Sequence, residues 1–489
     1  MQQLISRRLR NEDGVALLLV IGLMAILIIL SATLVDVVQS DATRSATAIQ
    51  RDTALGAAEA GVDNYLSKLV DDNQYYLHDV AAGESTRQSG AVTTSSSCSP
   101  SPTPAGWTGG TSWTYPNGSD QWCTLGNGYE FNLQITPPSA AGSKVIDIVS
   151  TGRKTGSTSN YRKLEVQVRP SSVADFQMLA NADIQYGSTA TTWGKIYAGI
   201  DSSGTRHSIA HDGTVCGNLY AEGSVTGSYT RPVCSGNTQQ ASVYNQSNIR
   251  TVIKQPIDFD NFTTSLTDIQ RAAQLSGIVL PNNGSVAAYK LTFKSNGTIL
   301  VYTCTQSGGA IEDSTPSCSS FTPTGCTAGV CNVPANGAIY ATQSVIVAGG
   351  TEACGSSPGG SCVNGRVTVA SNNDIVVGDD IDYVQTGDDV LGLIAANEVI
   401  VAQWAPNSIY WRAATIAQSG QWRSATSSQT HSGTMTFTGS TATNGGGYMS
   451  MYATRVYNYD TSLSYLQPPW FPTIDFAYTV LLYRELPTS

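Results

Sequence analysis

Ten cysteines are the chain's most chemically versatile side chains: Cys98, Cys123, Cys216, Cys234, Cys304, Cys318, Cys326, Cys331, Cys354 and Cys362. Several sit as close neighbours in Gly/Ser/Pro-rich stretches, as loop staples do. A zinc site favours gaps of two to four residues, paired with a second such gap or with histidines. Here the tightest gaps are Cys326–Cys331 and Cys354–Cys362, no partnering pair stands at the usual spacing, and the chain has only four histidines. All ten cysteines are therefore disulfide candidates and no metal site is expected. Disulfides require an oxidising compartment, hence export.

Other constellations are weaker. Gly355-Ser356-Ser357-Pro358-Gly359 matches the G-x-S-x-G nucleophile pattern, but that motif needs a strand before the serine and a helix after it. Pro358 and the surrounding glycines read instead as a turn stapled by Cys354 and Cys362. His207 and His211 have a spacing that binds metal on a helix, yet their Gly and Asp neighbours indicate turns and a strand, so both are expected as exposed polar residues. Asp379, Asp380, Asp382, Asp388 and Asp389 carry calcium-type oxygens without the full loop spacing of a calcium hand and read as a solvated turn. Carbohydrate lyases on β-helices gather Asp with Lys and Arg on one face, whereas from Ala338 to Val401 Arg366 is the only cation. Trp404, Tyr410, Trp411 and Trp422 could stack on sugars, and otherwise serve as core. No catalytic residue and no cofactor emerges, so the chain is not read as an enzyme.

Those residues must be carried by something, and the N-terminus indicates how. Arg7, Arg8 and Arg10 form a basic cluster that holds preceding residues on the cytoplasmic side. Val15 to Val35 follows as 21 residues without a charge, a helical length of roughly 31 Å that is enough for a bilayer. A cleaved secretory signal needs a shorter apolar core, although Ser31-Ala32-Thr33 is compatible with one; a plain signal anchor also fits. Beyond the span, apolar and small residues continue at helical spacing through Val38, Ala42, Ala46, Ile49, Ala54, Ala58, Val62, Leu66 and Leu69. The first proline is Pro100. The spacing predicts one uninterrupted helix from about Val15 to about Val70, amphipathic in its second half.

Over residues 11–70 this segment resembles the type IV pilins and pseudopilins, most closely the PilX-type minor pilins. The resemblance rests on the charged leader ending at Gly14, the run Gly14-Val15-Ala16-Leu17-Leu18-Leu19-Val20, and the alanine-rich Ala57-Ala58-Glu59-Ala60-Gly61. It implies cleavage by a prepilin peptidase after Gly14, methylation of Val15, and assembly with other pilins. Major pilins carry a glutamate at the fifth mature position, where this chain has Leu19. In the family that absence marks pseudopilins at the filament tip, since a buried carboxylate without a partner is costly.

After the helix, residues 84–123 are rich in Ser, Thr, Gly and Pro, with Trp107, Trp113 and Trp122 interspersed. Alternating strands follow at Tyr129–Ile135, Val145–Ser150 and Leu164–Val168. Past Pro170, segments of three to five apolar residues alternate with Gly/Asn/Asp/Ser turns, as rungs of a solenoid do. A β-sandwich is the competing arrangement. A helix from Phe259 to Leu275 and a cysteine-rich loop interrupt the rungs. The expected fold class is an α+β pilin module, a long N-terminal helix packed on an antiparallel sheet, plus a mainly-β, β-solenoid-like domain.

The expected division is 1–14 as prepilin leader, 15–36 as the transmembrane half of the helix, and 37–170 as the pilin-like module. Residues 171–456 form a solenoid-like head with an insertion at about 235–335, and 457–489 a closing segment. The function implied is a minor, tip-located pilin-like subunit for pilus assembly and surface adhesion or DNA capture. It would be a single-pass cell-membrane protein, held by its N-terminal helix, with an extracytoplasmic head that becomes extracellular in the pilus. The head's ligand is unknown, with DNA and glycan as the classes considered. The net charge of −10 disfavours broad nucleic-acid binding. The alternative is a membrane-anchored extracellular β-helix binding module or carbohydrate-active enzyme outside any filament.

Overall fold

The computed structural model describes residues 44–70, 112–115, 122–136 and 145–487, with gaps at 237–238, 254–255, 258–261, 285 and 356–358, and five isolated positions before residue 43. The leader, almost all of residues 15–36, and Cys98 lie outside the described residues. So do Gly14, Val15 and Leu19.

An antiparallel sheet is built from β1 (Trp113–Tyr115), β2 (Cys123–Thr124), β3 (Tyr129–Thr136), β4 (Ile146–Lys154) and β5 (Arg162–Ser172). Its order is β1-β3-β4-β5, with β2 also on β3, and the chain's last strand, Thr473–Leu486, pairs with β5. One face is apolar by simple alternation: Phe131, Leu133 and Ile135, Ile146 and Ile148, Leu164, Val166 and Val168. Helix α1 (residues 44–70) lays Ala58, Val62, Tyr65 and Leu69 on that face. Small residues permit the close approach: a Cβ on Gly152 would lie 2.1 Å from the Ala54 carbonyl oxygen. The Ser150 hydroxyl donates to the Ala58 carbonyl across the same contact at 2.7 Å.

Two expectations are corrected here. The fold class is mainly β rather than α+β with one long N-terminal helix. Among the described residues there are two α-helices, α1 and α2 (Phe262–Ser276), against a chain otherwise built of strands. Apolar spacing alone suggested that Ala42, Ala46 and Ile49 pack, yet these positions are exposed, Ile49 by 63%. The single-pass membrane anchor is likewise unsupported: no helix among the described residues is long and apolar enough to cross a membrane. Arg44, Arg51, Asp52, Glu59, Asp63 and Lys68 make α1 itself too charged to span a bilayer, and residues 15–36, where the anchor was expected, lie almost wholly outside the described residues.

Between β5 and the last strand is inserted a three-sided parallel β-solenoid. Its first face runs in space from Ile278–Leu280 through Ala338–Ala341, Arg366–Ser371, Val390–Ala395, Ile409–Ala417 and His431–Thr443. It then continues, still parallel, through Met178–Ala180, Ile196–Ala198, Leu219–Ala221 and Val243–Tyr244. The spatial order is thus a circular permutation of the chain order. An early arm (178–244) stacks on the end of a late arm (278–459), and the seam is made by Thr441↔Met178, Ala442↔Leu179 and Thr443↔Ala180. The third face crosses the same seam, with Arg455–Asn458 beside Ala190–Trp193.

This order forces residues 245–277 to travel back along nine strand gaps, about 43 Å. They cover the outer side of the first face with Ile249, Ile257, and Ile269, Ala272 and Ala273 of α2. The late arm's free end is closed by an antiparallel flap, Ala288–Phe293 with Thr298–Thr305, Ser317–Ser320 and Val330–Asn332. Cys304–Cys318 and Cys326–Cys331 staple it, which blunts the edge. Cys216–Cys234 staples the other end.

The interior is aliphatic in the late arm, as in Val345/Val347, Ile375/Val377 and Val399/Val401. An aromatic ladder runs across the seam: Trp411 to Phe437 (4.5 Å between centroids), Phe437 to Trp422 (5.2 Å), Trp422 to Tyr457 (6.0 Å), Tyr457 to Tyr186 (5.2 Å) and Tyr186 to His211 (4.9 Å).

The sheet and the solenoid join at the seam. Arg169, 2% exposed, pairs with Asp175 and donates to the carbonyls of Ser464 (2.6 Å) and Pro170 (3.0 Å). Ser172 caps the short turn Val173–Asp175 and donates to the Pro472 carbonyl at 3.0 Å. Both chain crossings are therefore held by one buried cation and one capping serine.

Candidate functional site

Ile409–Ala417 starts on the third face, where Trp411 pairs with Ile381, before joining the first face at Ala414; alternation in its first half buries Trp411 and turns Tyr410 and Arg412 outward. The neighbouring strand Ile381–Tyr383 is aligned by Ile381↔Trp411, which brings Asp382 beside Arg412. Arg412 donates to Thr386 Oγ1 (2.7 Å) and to the Tyr410 hydroxyl (2.9 Å). Its Nε lies 3.4 Å from Asp382 Oδ1 and 3.8 Å from Asp460 Oδ2. The guanidinium also sits 5.3 Å from the Tyr383 ring centre and 6.0 Å from that of Tyr410.

The carboxylates around it serve the backbone. Asp382 accepts from its neighbour Tyr383 N–H (2.8 Å), and Asp460 from Ser462 N–H (3.0 Å) and Oγ (2.7 Å). Asp380 accepts from Tyr410 N–H (2.9 Å), and Asp389 from the N–H groups of Gly365 (2.7 Å) and Gln385 (2.6 Å). Asp380, Asp382 and Asp389 are buried, which corrects the solvated-turn reading. No group of His, Cys, Asp and Glu able to hold a metal ion occurs among the described residues.

Cys354 and Cys362 are unbonded, buried thiols in this structure, so the loop between them is not stapled as expected. Their Sγ atoms point to the carbonyls of Asp382 (3.5 Å) and Glu352 (3.7 Å). Burial first, then the neighbouring Cys362 and, more weakly, Asp382 and Asp389, push the Cys354 thiol far above its ordinary range, which leaves little thiolate for nucleophilic chemistry. Ser356, Ser357 and Pro358 lie outside the described residues. Cys123 is also disulfide-bonded.

The histidines are not exposed, either. His211 is fully buried, accepting from Gly213 N–H at Nδ1 (3.0 Å), which leaves Nε2–H to donate to Thr192 Oγ1 (3.1 Å). Burial lowers its pKa to about 4 against a smaller opposing pull from Asp212. His207 lies between Asp183 and Asp201, each 3.4 Å away. Trp411 and Trp422 belong to the core, and Trp404 is fixed by donating its indole N–H to the Ile311 carbonyl (3.0 Å).

Among the exposed large side chains are two aromatic rings of the segment that closes the solenoid. Tyr465 is 51% exposed and its hydroxyl would be met by a Cβ on Gly387, next to Thr386. Trp470 is 42% exposed and holds a left-handed backbone, φ 62°. That strain is sustained from both sides: buried Phe471 follows it, and its indole N–H donates to the Asn336 carbonyl at 2.8 Å. Tyr465, near Gly387 and Thr386, and Trp470, held at Asn336, each present an aromatic ring that can stack on a flat apolar face; neither offers an acid–base pair or a nucleophile. Sequence reasoning missed Arg412, Asp460, Tyr465 and Trp470; the Pro468-Pro469-Trp470-Phe471-Pro472 run was the available signal.

These features define a mainly-β protein whose parallel solenoid is carried as an insert in an antiparallel sheet. No protein-family model matches the chain, and neither a curated protein nor a solved structure is similar to it.

Proposed function

We propose that the chain is a pilin-like minor subunit that displays its solenoid as an adhesive head, cut after Gly14 by a prepilin peptidase and assembled with other pilins, at the filament tip as Leu19 suggests. The observation that supports it best is the way the head is carried. A rigid solenoid enters and leaves through two adjacent antiparallel strands, β5 and Thr473–Leu486, clamped by Arg169. That connection suits a displayed head that bears load. The disulfides Cys216–Cys234, Cys304–Cys318 and Cys326–Cys331, with Cys123 also bonded, agree with an exported protein.

The ligand class favoured is glycan over DNA, because Tyr465 and Trp470 are exposed aromatic rings and the net charge is −10. The test of the subunit reading is the N-terminal mass of the protein isolated from its host. A chain beginning at N-methylated Val15 supports it, and an intact Met1 in the mature protein contradicts it. A surface binding module outside any filament is the reading left by the second outcome.

A further inference from the structure

The second face of the late arm, built from Ala288–Phe293, Ser344–Val347, Ile375–Val377, Val399–Val401 and Trp422–Ser424, carries one column of residues in register: Lys290, Ile346, Val376, Ile400 and Arg423. The charged ends identify the column as outward-facing, because Lys290 lies over the Tyr302 ring and Arg423 pairs with Glu398 and Glu312. Its three middle side chains are apolar, and Ile346 and Val376 are 0% exposed and Ile400 1%. A core residue would be expected to be that buried; an outward residue needs a cover.

The loop 306–316 is well placed to be that cover. It leaves the flap between Thr305 and Ser317, and Cys304–Cys318 closes its base. Its tip touches the second face through three polar contacts: Gln403 N–H to the Glu312 carbonyl (2.8 Å), Trp404 indole N–H to the Ile311 carbonyl (3.0 Å), and Arg423 to Glu312 (3.2 Å). Ile311 of the loop and Trp404 of the solenoid, whose ring lies where a Cβ on Gly378 would stand, are among the partly buried hydrophobics that pack on the core. The loop is otherwise tied to itself, with Gln306 Nε2 donating to the carbonyls of Gly308 and Ala310 and to Ser314 Oγ (2.6 Å), and Ala310 N–H donating to Asp313 Oδ2 (3.2 Å). Gly308 and Gly309 both have positive φ. A body that is internally bonded, covalently tethered at its base and attached at its tip by few contacts can lift as a unit.

We propose that residues 306–316 form a hinged strap that lifts from the Ile346–Val376–Ile400 column and uncovers an apolar strip on the second face, while Cys304–Cys318 keeps it tethered. Arg423 remains satisfied by Glu398 when the strap leaves, so opening strands no buried cation.

The test is amide hydrogen exchange on the full chain, together with fluorescence of 8-anilinonaphthalene-1-sulfonate as the apolar probe. Amides of 306–316 are expected to exchange at least tenfold faster than that of Ile375 beneath them. Glu312→Ala is expected to raise strap exchange about fivefold and to increase dye fluorescence, with the global unfolding midpoint nearly unchanged. A second variant replaces 307–315 by Gly-Ser-Gly and is expected to fold and to bind the dye constitutively. Strap amides that exchange only with global unfolding, or a Glu312→Ala protein with wild-type exchange and dye binding, would overturn the proposal. So would a strapless variant that fails to fold, because the loop would then be part of the core.

Discussion

Both arms of the solenoid have an apolar interior; the late arm adds a buried aromatic cluster, and the early arm adds a buried histidine and a buried carboxylate paired with the return segment. In the late arm the interior columns are Val, Ile and Leu, with Trp411 and Phe437 fully buried among them. The early arm buries His211 and Glu222 outright. Glu222 accepts from the Tyr197 hydroxyl (2.9 Å) and is bridged by both terminal nitrogens of Arg250, at 2.8 and 2.5 Å. Arg250 belongs to the return segment, so this pair also fastens the strap of chain that permutes the solenoid. The difference teaches that one parallel stack can be stabilised in two ways, and that the two should fail under different insults.

The largest effect is expected from Trp411→Ala. It removes a fully buried ring that stacks on Trp422 and packs at a tilt against Phe437, and should destabilise by about 3–5 kcal/mol in a denaturant titration. Exchange should accelerate first in the late arm. Arg250→Ala should destabilise by about 3 kcal/mol, because Glu222 keeps its burial and loses its main counter-charge. Here faster exchange should begin in 196–257 and leave the late arm protected. Equal acceleration of both arms in either variant would erase the distinction.

Acid should separate the arms further. His211 has its pKa lowered to about 4 by burial, against about 6.5 in an unfolded chain. Its contribution is fully present above pH 6.5 and is lost as pH falls through 4, to a total of roughly 3 kcal/mol. A stability profile from pH 7 to pH 4 should therefore decline, and His211→Gln should flatten it. The smallest effect is expected from Tyr483→Phe, which removes the 2.6 Å hydrogen bond to Glu59 between the last strand and α1. Both groups are at the surface, so the change in melting midpoint should correspond to about 0.5–1 kcal/mol.

Short strands such as Ser344–Val347 and Arg366–Ser371 were legible as β-branched runs between Asn, Gly and Asp turns, because that signal is local. The helix expected from Phe259 to Leu275 falls on α2, Phe262–Ser276, for the same reason. The seam was not legible: Met178 and Thr441 are strand neighbours without any local mark of it. Buried aspartates such as Asp382 and Asp389 were misread because a carboxylate looks solvated until its backbone donors are known. The α+β class was misread because helical periodicity in residues 15–70 was given weight over the far longer run of strands. Tyr465 and Trp470 look like core residues in sequence, and only the turn geometry turns them outward.

The stack's continuity across the seam is the claim on which the rest depends, and two amides report it. Thr441 N–H donates to the Gln177 carbonyl at 2.9 Å, and Asn181 N–H to the Thr443 carbonyl at 3.0 Å. Residue-resolved hydrogen exchange should protect both to the level of Ile375 and Val399, whose amides bond within the late arm. Exchange of Thr441 and Asn181 at the rate of an exposed turn, with Ile375 and Val399 still protected, would show that the two arms are not one ladder.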